Sequence, residues 1–149
     1  MVGIVAIAVC AAALVAATSG DDWAPAASAS KGQATKLKLK RSPYGRVLFA
    51  DGYAMYLFTR DSGSRSECRG RCAKAWPPLE ARGRLDAGRG VKRRLLGTTT
   101  RADGTEQVTY DGHPLYGYVD DPRGEVLCHD VFEFGGTWFA VRSSGKPAP

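Results

Sequence analysis

The stretch FADGYAMYLFTRDSGSRSEC, residues 49–68, returns sixty positions later as TYDGHPLYGYVDDPRGEVLC, residues 109–128. Laid over each other without a gap, the two align Asp51 with Asp111, Gly52 with Gly112, Tyr56 with Tyr116, Asp61 with Asp121 and Cys68 with Cys128. Leu48 over Val108, Met55 over Leu115 and Phe58 over Tyr118 keep their character, and Trp76 and Trp138 correspond after a shift of two. Coincidences in residue types as rare as Tyr, Trp and Cys mark a duplicated unit. The copies run from about 46 to 79 and from about 106 to 142.

Each copy opens as a β-hairpin. Asp-Gly between apolar runs is a strong hairpin signal, because a two-residue type I′ turn needs φ > 0 at both central positions. The runs are RVLFA and YAMYLF in copy one, QVTY and HPLYGY in copy two. Such a turn sets Leu48 opposite Met55 and Val47 opposite Tyr56. Val47, Phe49, Ala54, Tyr56 and Phe58 then share one face, and Leu48, Ala50, Tyr53, Met55 and Leu57 the other. Both faces are apolar, so burial on both sides is expected. In copy two, Val108, Tyr110, His113 and Leu115 oppose Thr109, Pro114, Tyr116 and Tyr118. Pro114 has no N–H for a ladder bond and is expected at a sheet edge. Between the hairpins, Cys68 to Trp76 allows one or two helical turns, ended by Pro77-Pro78. GRLDAGRGVKRR, residues 83–94, reads as an exposed connection, Thr98–Thr100 as a short strand, Arg101–Gly104 as a turn and Thr137–Arg142 as a closing strand. The expected fold is mainly β: two tandem pseudo-symmetric β-hairpin repeats forming one small antiparallel domain with one short helix.

The 149 residues leave room for one compact domain and little more. That excludes a Rossmann enzyme with a partner domain, a TIM barrel and a multi-span transporter. Residues 2–17, VGIVAIAVCAAALVAA, carry no charge. They are short of the roughly 20 residues of a membrane-spanning helix and suit the apolar core of a secretory signal, although no Lys or Arg precedes them. Residues 1–19 are therefore read as a signal peptide or membrane anchor. Cys10 follows Ile7-Ala8-Val9 and is a candidate for lipidation, with Val9 a poor residue before a cleavage point. Residues 20–36 read as a disordered linker rich in Ala, Ser, Gly and Pro, residues 37–145 as the repeat domain, and 146–149, the end of SSGKPAP, as a frayed tail. Export is expected, to the cell surface or beyond, with membrane attachment through the N-terminus as one outcome.

The net charge of +6 is spread through Lys36, Lys38, Lys40, Arg41, Arg46, Arg69, Arg71 and Lys92–Arg94. Lys36, Lys38 and Lys40 alternate with Leu37 and Leu39, as in a half-exposed strand. No nucleic-acid reader motif accompanies them, so no nucleic acid is expected as partner. A solvated basic surface, or attraction to an anionic envelope, accounts for the charge.

Asp61 and Asp121 allow two readings. Glycosidases use two carboxylates about 5–10 Å apart. Alternatively, an Asp after a strand accepts backbone N–H groups of the following turn, and duplication then repeats one structural role. The second reading is preferred. Two His offer no persuasive Ser-His-Asp array, and no phosphate-binding Gly-rich loop is present, so neither enzymatic activity nor a cofactor is expected. Tyr56, Phe58, Tyr116, Tyr118, Trp76 and Trp138 are core candidates. An exported domain oxidises its cysteines, and with Cys10 set aside, Cys68, Cys72 and Cys128 leave one over. Cys68 with Cys72 is the first candidate bridge. A link from the first copy to Cys128 is the alternative and would close a longer loop. Cys68, Cys72, Cys128 and His129 also make a three-thiolate, one-imidazole set suited to zinc or copper, which supports a second reading as a metal-binding or thiol-redox surface protein.

Tyr56-Leu-Phe58-Thr-Arg-Asp61 and Tyr116-Gly-Tyr118-Val-Asp-Asp121 share the pattern Tyr-x-aromatic-x-x-Asp. With Cys68-x-x-x-Cys72-Ala-x-x-Trp76-Pro-Pro-Leu79, Arg101-x-Asp-Gly104, Gln107-Val-Thr-Tyr110 and Gly112-His-Pro-Leu-Tyr116, it resembles a bacterial family of predicted lipoproteins, the secreted repeat of unknown function. The likeness covers roughly residues 37–145. It implies an exported, often lipid-anchored envelope protein built from two short β units, and it implies no known reaction. The functional expectation is a non-enzymatic binding or scaffolding module of the cell envelope, with an unidentified envelope ligand or protein as partner.

Overall fold

A computed structural model describes residues 34–149. The N-terminal apolar run, Cys10 and all but the end of the linker lie outside the described residues. The first strand, β1 (Thr35–Ser42), begins two positions before the expected domain boundary at 37, since Thr35 is buried and its N–H bonds to the Arg84 carbonyl. Its alternation holds, with Lys36, Lys38 and Lys40 exposed and Leu37 buried. It pairs antiparallel with β2 (Gly45–Ala50), and β2 pairs with β3 (Tyr53–Ala54). The turn between β2 and β3 has Asp51 at φ 51° and Gly52 at φ 92°, both left-handed as a type I′ turn demands.

Copy two repeats this meander. β6 (Leu96–Thr100), β7 (Glu106–Tyr110) and β8 (His113–Pro114) form a three-stranded antiparallel sheet with Asp111 at φ 52° and Gly112 at φ 76° in the tight turn. Pro114 lies on the edge strand, as its missing N–H requires. Between the meanders come β4 (Tyr56–Phe58), the helix α1 (Arg71–Ala75) and β5 (Leu85–Ala87). After them come β9 (Val131–Glu133) and β10 (Gly136–Ala140), which form a sheet with β4 in the order β4-β10-β9.

The copies are interlocked rather than laid end to end. The Tyr-x-aromatic strand of each copy pairs with the Trp-bearing segment of the other. Phe58 on β4 lies opposite Trp138 on β10. In the counterpart, Gly117 N–H bonds to the Pro77 carbonyl at 2.9 Å and Val119 N–H to the Ala75 carbonyl at 3.0 Å. The pseudo-two-fold passes between Tyr56 and Tyr116, whose backbones exchange N–H···O bonds of 2.8 and 3.0 Å. A strand of copy one, β4, thus completes a sheet with β10 and β9 of copy two.

The two faces of the hairpins enter two cores. Val47, Phe49, Ala54, Tyr56 and Phe58 meet Trp76, Tyr116 and Trp138 in the first. Leu48, Ala50, Met55 and Leu57 meet Leu37, Val108, Tyr110, Leu115 and Val141 in the second. Both-sided burial follows from the apolar character of both faces. Tyr53 alone among the ten face residues of the first hairpin stays exposed.

Two expectations are corrected. Residues 83–94 are not merely an exposed connection: Leu85–Ala87 adds a short parallel strand beside β1, and Val91 is buried. Three residues are too few to show a period in sequence, and the edge of β1 supplies the pairing. The C-terminal residues are not frayed. Ala148 N–H bonds to the Ala140 carbonyl at 2.8 Å, Pro147 bridges Val141, and Ala148 is buried. Its methyl group fits against the first core, which SSGKPAP as a composition does not reveal.

Candidate functional site

The repeated Tyr and Asp meet across the pseudo-two-fold in a crossed clasp. The Tyr56 hydroxyl donates to Asp121 Oδ2 at 2.6 Å, and the Tyr116 hydroxyl donates to Asp61 Oδ2 at 2.8 Å. The other oxygen of each carboxylate closes the turn that follows it. Asp61 Oδ1 accepts the Glu67 N–H at 2.8 Å and Asp121 Oδ1 accepts the Leu127 N–H at 3.2 Å. The expected capture of turn N–H groups is thus present in both copies. The tyrosine partner comes from the opposite copy, a feature sequence reading missed.

Between the clasps lies a pile of four aromatic rings. Phe58 stacks on Trp138 at 4.0 Å between centroids, Trp138 on Trp76 at 4.0 Å, and Tyr118 caps Trp76 at 4.6 Å. Tyr56 meets Trp76 edge-on and Tyr116 meets Trp138 edge-on, each at 5.2 Å. Glu133 serves both indoles. Its carboxylate accepts the Trp76 N–H at 2.8 Å and its carbonyl the Trp138 N–H at 3.2 Å. Gly136 permits the approach, because a Cβ there would lie 2.6 Å from the Phe58 ring. All eight motif residues named from sequence therefore converge on one packed cluster, in which Tyr56 and Tyr116 bond to Asp121 and Asp61 while both indoles turn their N–H groups to Glu133.

Burial dominates the electrostatics. It pushes the Tyr56 and Tyr116 hydroxyls well above the usual phenol range, and the facing carboxylates add to the effect. It also raises Asp121, and it raises Asp61 to about 6 against the lowering pull of the Glu67 N–H and the Tyr116 hydroxyl. A carboxyl whose folded pKa lies above its ordinary 3.8 makes the folded state bind its proton more tightly. That stabilisation is complete below about pH 4 and is lost as pH rises through about 6. Wild-type protein should lose about 1–2 kcal/mol more unfolding free energy between pH 4 and pH 7 than Asp61→Asn, after solvent screening of a partly exposed carboxylate. Urea titrations of both proteins at several pH values check this. Parallel profiles would show that Asp61 does not titrate in that window.

Cys68 and Cys72 form a disulfide with Cα atoms 5.2 Å apart, as first expected, and the alternative bridge to Cys128 is excluded. None of the three described cysteines is free, so the expected odd thiol is corrected. The zinc or copper set of Cys68, Cys72, Cys128 and His129 is not assembled. Two of its thiolates are joined to each other, and His129 Nδ1 accepts the Ala140 N–H at 3.1 Å. Among the described residues, no group of three or more His, Cys, Asp or Glu could hold a metal ion. Closing a five-residue loop stabilises by about 2 kcal/mol in the chain-entropy model. A Cys68→Ala/Cys72→Ala variant should lose that amount in urea unfolding.

Sequence reading also missed a buried polar cluster beside the second clasp. Arg101 donates from Nη1 to Ser66 Oγ and to Gln107 Oε1, each at 2.7 Å, and from Nη2 to the Cys68 carbonyl at 2.7 Å. Ser66 in turn lies 2.7 Å from the Tyr116 hydroxyl. Since that hydroxyl donates to Asp61, Ser66 is the donor here, and a chain of bonds runs from Arg101 through Ser66 and Tyr116 to Asp61. The signal was available: Ser66 falls on Val126 and Gln107 on Val47, polar residues where the other copy is apolar.

Fold and site together define a duplicated β domain whose signature residues tie its two copies to each other. A family model described as a secreted repeat of unknown function matches residues 39–80 and 97–142, over half the chain. The chain belongs to that family and is an exported protein. No curated protein and no solved structure matches it. Among the described residues, no helix is long and apolar enough to cross a membrane.

Proposed function

We propose that this protein is a non-enzymatic binding or scaffolding module of the cell envelope. One observation carries the reading: the hydroxyls and carboxylates of the family signature bond to each other and to turn N–H groups, the Tyr56–Asp121 pair buried and the Tyr116–Asp61 pair part-buried. Both oxygens of each carboxylate are already engaged in holding the fold, which disfavours Asp61 and Asp121 as a glycosidase pair. The recognition chemistry therefore belongs to the rim of the domain. Lys36, Lys38, Lys40, Arg41 and Arg46 leave the β1–β2 hairpin exposed and basic, suited to an anionic envelope. The apolar N-terminal run serves export, and it holds the protein at the membrane where it is retained or where Cys10 is lipidated.

The exported protein, mixed with isolated cell envelopes, is expected to sediment with them, less so as salt rises, and to release no product from them. Folded Asp61→Asn should behave alike. Turnover that disappears in folded Asp61→Asn would overturn the non-enzymatic reading, and failure to sediment at any salt concentration would overturn the binding one.

A further inference from the structure

The two copies are matched wherever Tyr, Asp and Trp act and diverge around Arg101. The first clasp is flanked by apolar side chains. Val47 and Val126 are buried, and Tyr44, in the tight link between β1 and β2, packs against the same core. The second has Gln107 and Ser66 at the matching positions, and its β6–β7 link is the longer turn that carries Arg101. A duplicated scaffold needs no such difference to fold, since the apolar version closes the first copy.

Arg101 is 9% exposed, yet its Nε–H meets no acceptor among the described residues. The nearest carboxylate oxygen, Asp103 Oδ2, is 4.0 Å away, beyond hydrogen-bond range. Asp103 turns its other oxygen to the Thr105 N–H and hydroxyl. A buried N–H of a charged group without an acceptor is unfavourable by about 1–3 kcal/mol, and native proteins rarely leave one. Beside it opens a cavity of about 220 Å³ lined by Ser66, Arg69, Ala73, Arg101, Ala102 and Asp103.

We propose that this cavity binds a singly charged carboxylate group, which enters as the exposed Asp103 side chain swings aside, accepts the Arg101 Nε–H thus uncovered and pairs with the Arg69 guanidinium at the mouth. The assignment deepens the binding-module reading and rests on it. Guanidinium N–H groups match the planar oxygens of a carboxylate. The Asp103 carboxylate on the rim repels a doubly charged phosphate more than a monoanion. The cavity is smaller than the 300–1,000 Å³ of typical drug-sized sites, and Ala73 and Ala102 give it methyl walls, which fits a short chain end rather than a whole polymer. A peptide C-terminus and a uronic acid both present this group outside a cell.

The test follows the Arg101 Nε–H cross-peak in a ¹H–¹⁵N spectrum of the exported protein. N-acetylalanine stands for the peptide end, glucuronate for the acidic sugar, and inorganic phosphate for a multiply charged anion. At least one carboxylate should shift the peak saturably at about 1–10 mM, as expected for so small a ligand. The probe that binds more tightly identifies the source. Arg101 also holds its own turn in place, so Arg69→Glu, on an exposed residue, is the informative variant. It should weaken binding at least tenfold at unchanged Tm. No shift with either carboxylate, phosphate binding as tightly as they do, or unchanged binding in Arg69→Glu would each overturn the site. A silent cross-peak with intact envelope sedimentation removes this pocket alone, whereas loss of both removes the binding-module reading too.

Discussion

Trp138→Ala should lower the unfolding free energy by about 3–5 kcal/mol, a large part of the 5–15 kcal/mol of an ordinary domain. Trp138 is fully buried in the middle of the aromatic pile, with Phe58 on one side and Trp76 on the other. Truncation opens a void between two rigid rings that cannot collapse onto each other. β4 and β10 fix Phe58 from one direction, and the segment paired with residues 117–119 fixes Trp76 from the other. It also removes the edge-on contact with Tyr116. Trp138→Phe, which refills most of the volume, should recover over half the loss. Stacked indoles 4.0 Å apart couple their transitions, so circular dichroism should lose its indole couplet in either Trp76→Phe or Trp138→Phe. Urea unfolding gives the energies. A cost under about 1 kcal/mol, or a couplet that survives, would mean the rings are not stacked in solution.

How much of this was legible in the sequence depends on the range of the interaction. The Asp-Gly turns, the assignment of Val47, Phe49 and Ala54 to one face and Leu48, Ala50 and Met55 to the other, and the helix before Pro77-Pro78 are all set within a few residues. Turn chemistry and a period of two specify them. The Asp61 and Asp121 bonds to turn N–H groups are equally local. The crossing of the clasps is not. Two copies with the same pattern offer Tyr56 an equivalent aspartate in either copy, and only the path of residues 59–75 and 119–137 decides which one it reaches. Nor does alternation reveal β5, which is three residues long and borrows its register from β1. Arg101 stands in the sequence as part of a turn, and its burial follows from Ser66 and Gln107, residues that stand out only where the copies disagree.

The crossing has an energetic consequence that distinguishes the two clasps. Asp121→Ala should cost about 2–4 kcal/mol. The substitution strands the buried Tyr56 hydroxyl and takes the acceptor from the part-buried Leu127 N–H, and an unsatisfied buried polar group costs about 1–3 kcal/mol. Tyr56→Phe removes the same bond from the other end, so the double variant should cost less than the sum of the singles. Asp61→Ala should cost less, about 1–2 kcal/mol. Asp61 is less buried than Asp121, so the space its carboxylate leaves is open to water, which can accept the Tyr116 hydroxyl and the Glu67 N–H. The first clasp has no such relief, because Asp121 and the neighbouring Val126 are both buried. Urea unfolding of the wild type and the four variants measures this difference. If Asp61→Ala proves as damaging as Asp121→Ala, water does not reach Tyr116 and the two clasps are energetically equivalent in solution.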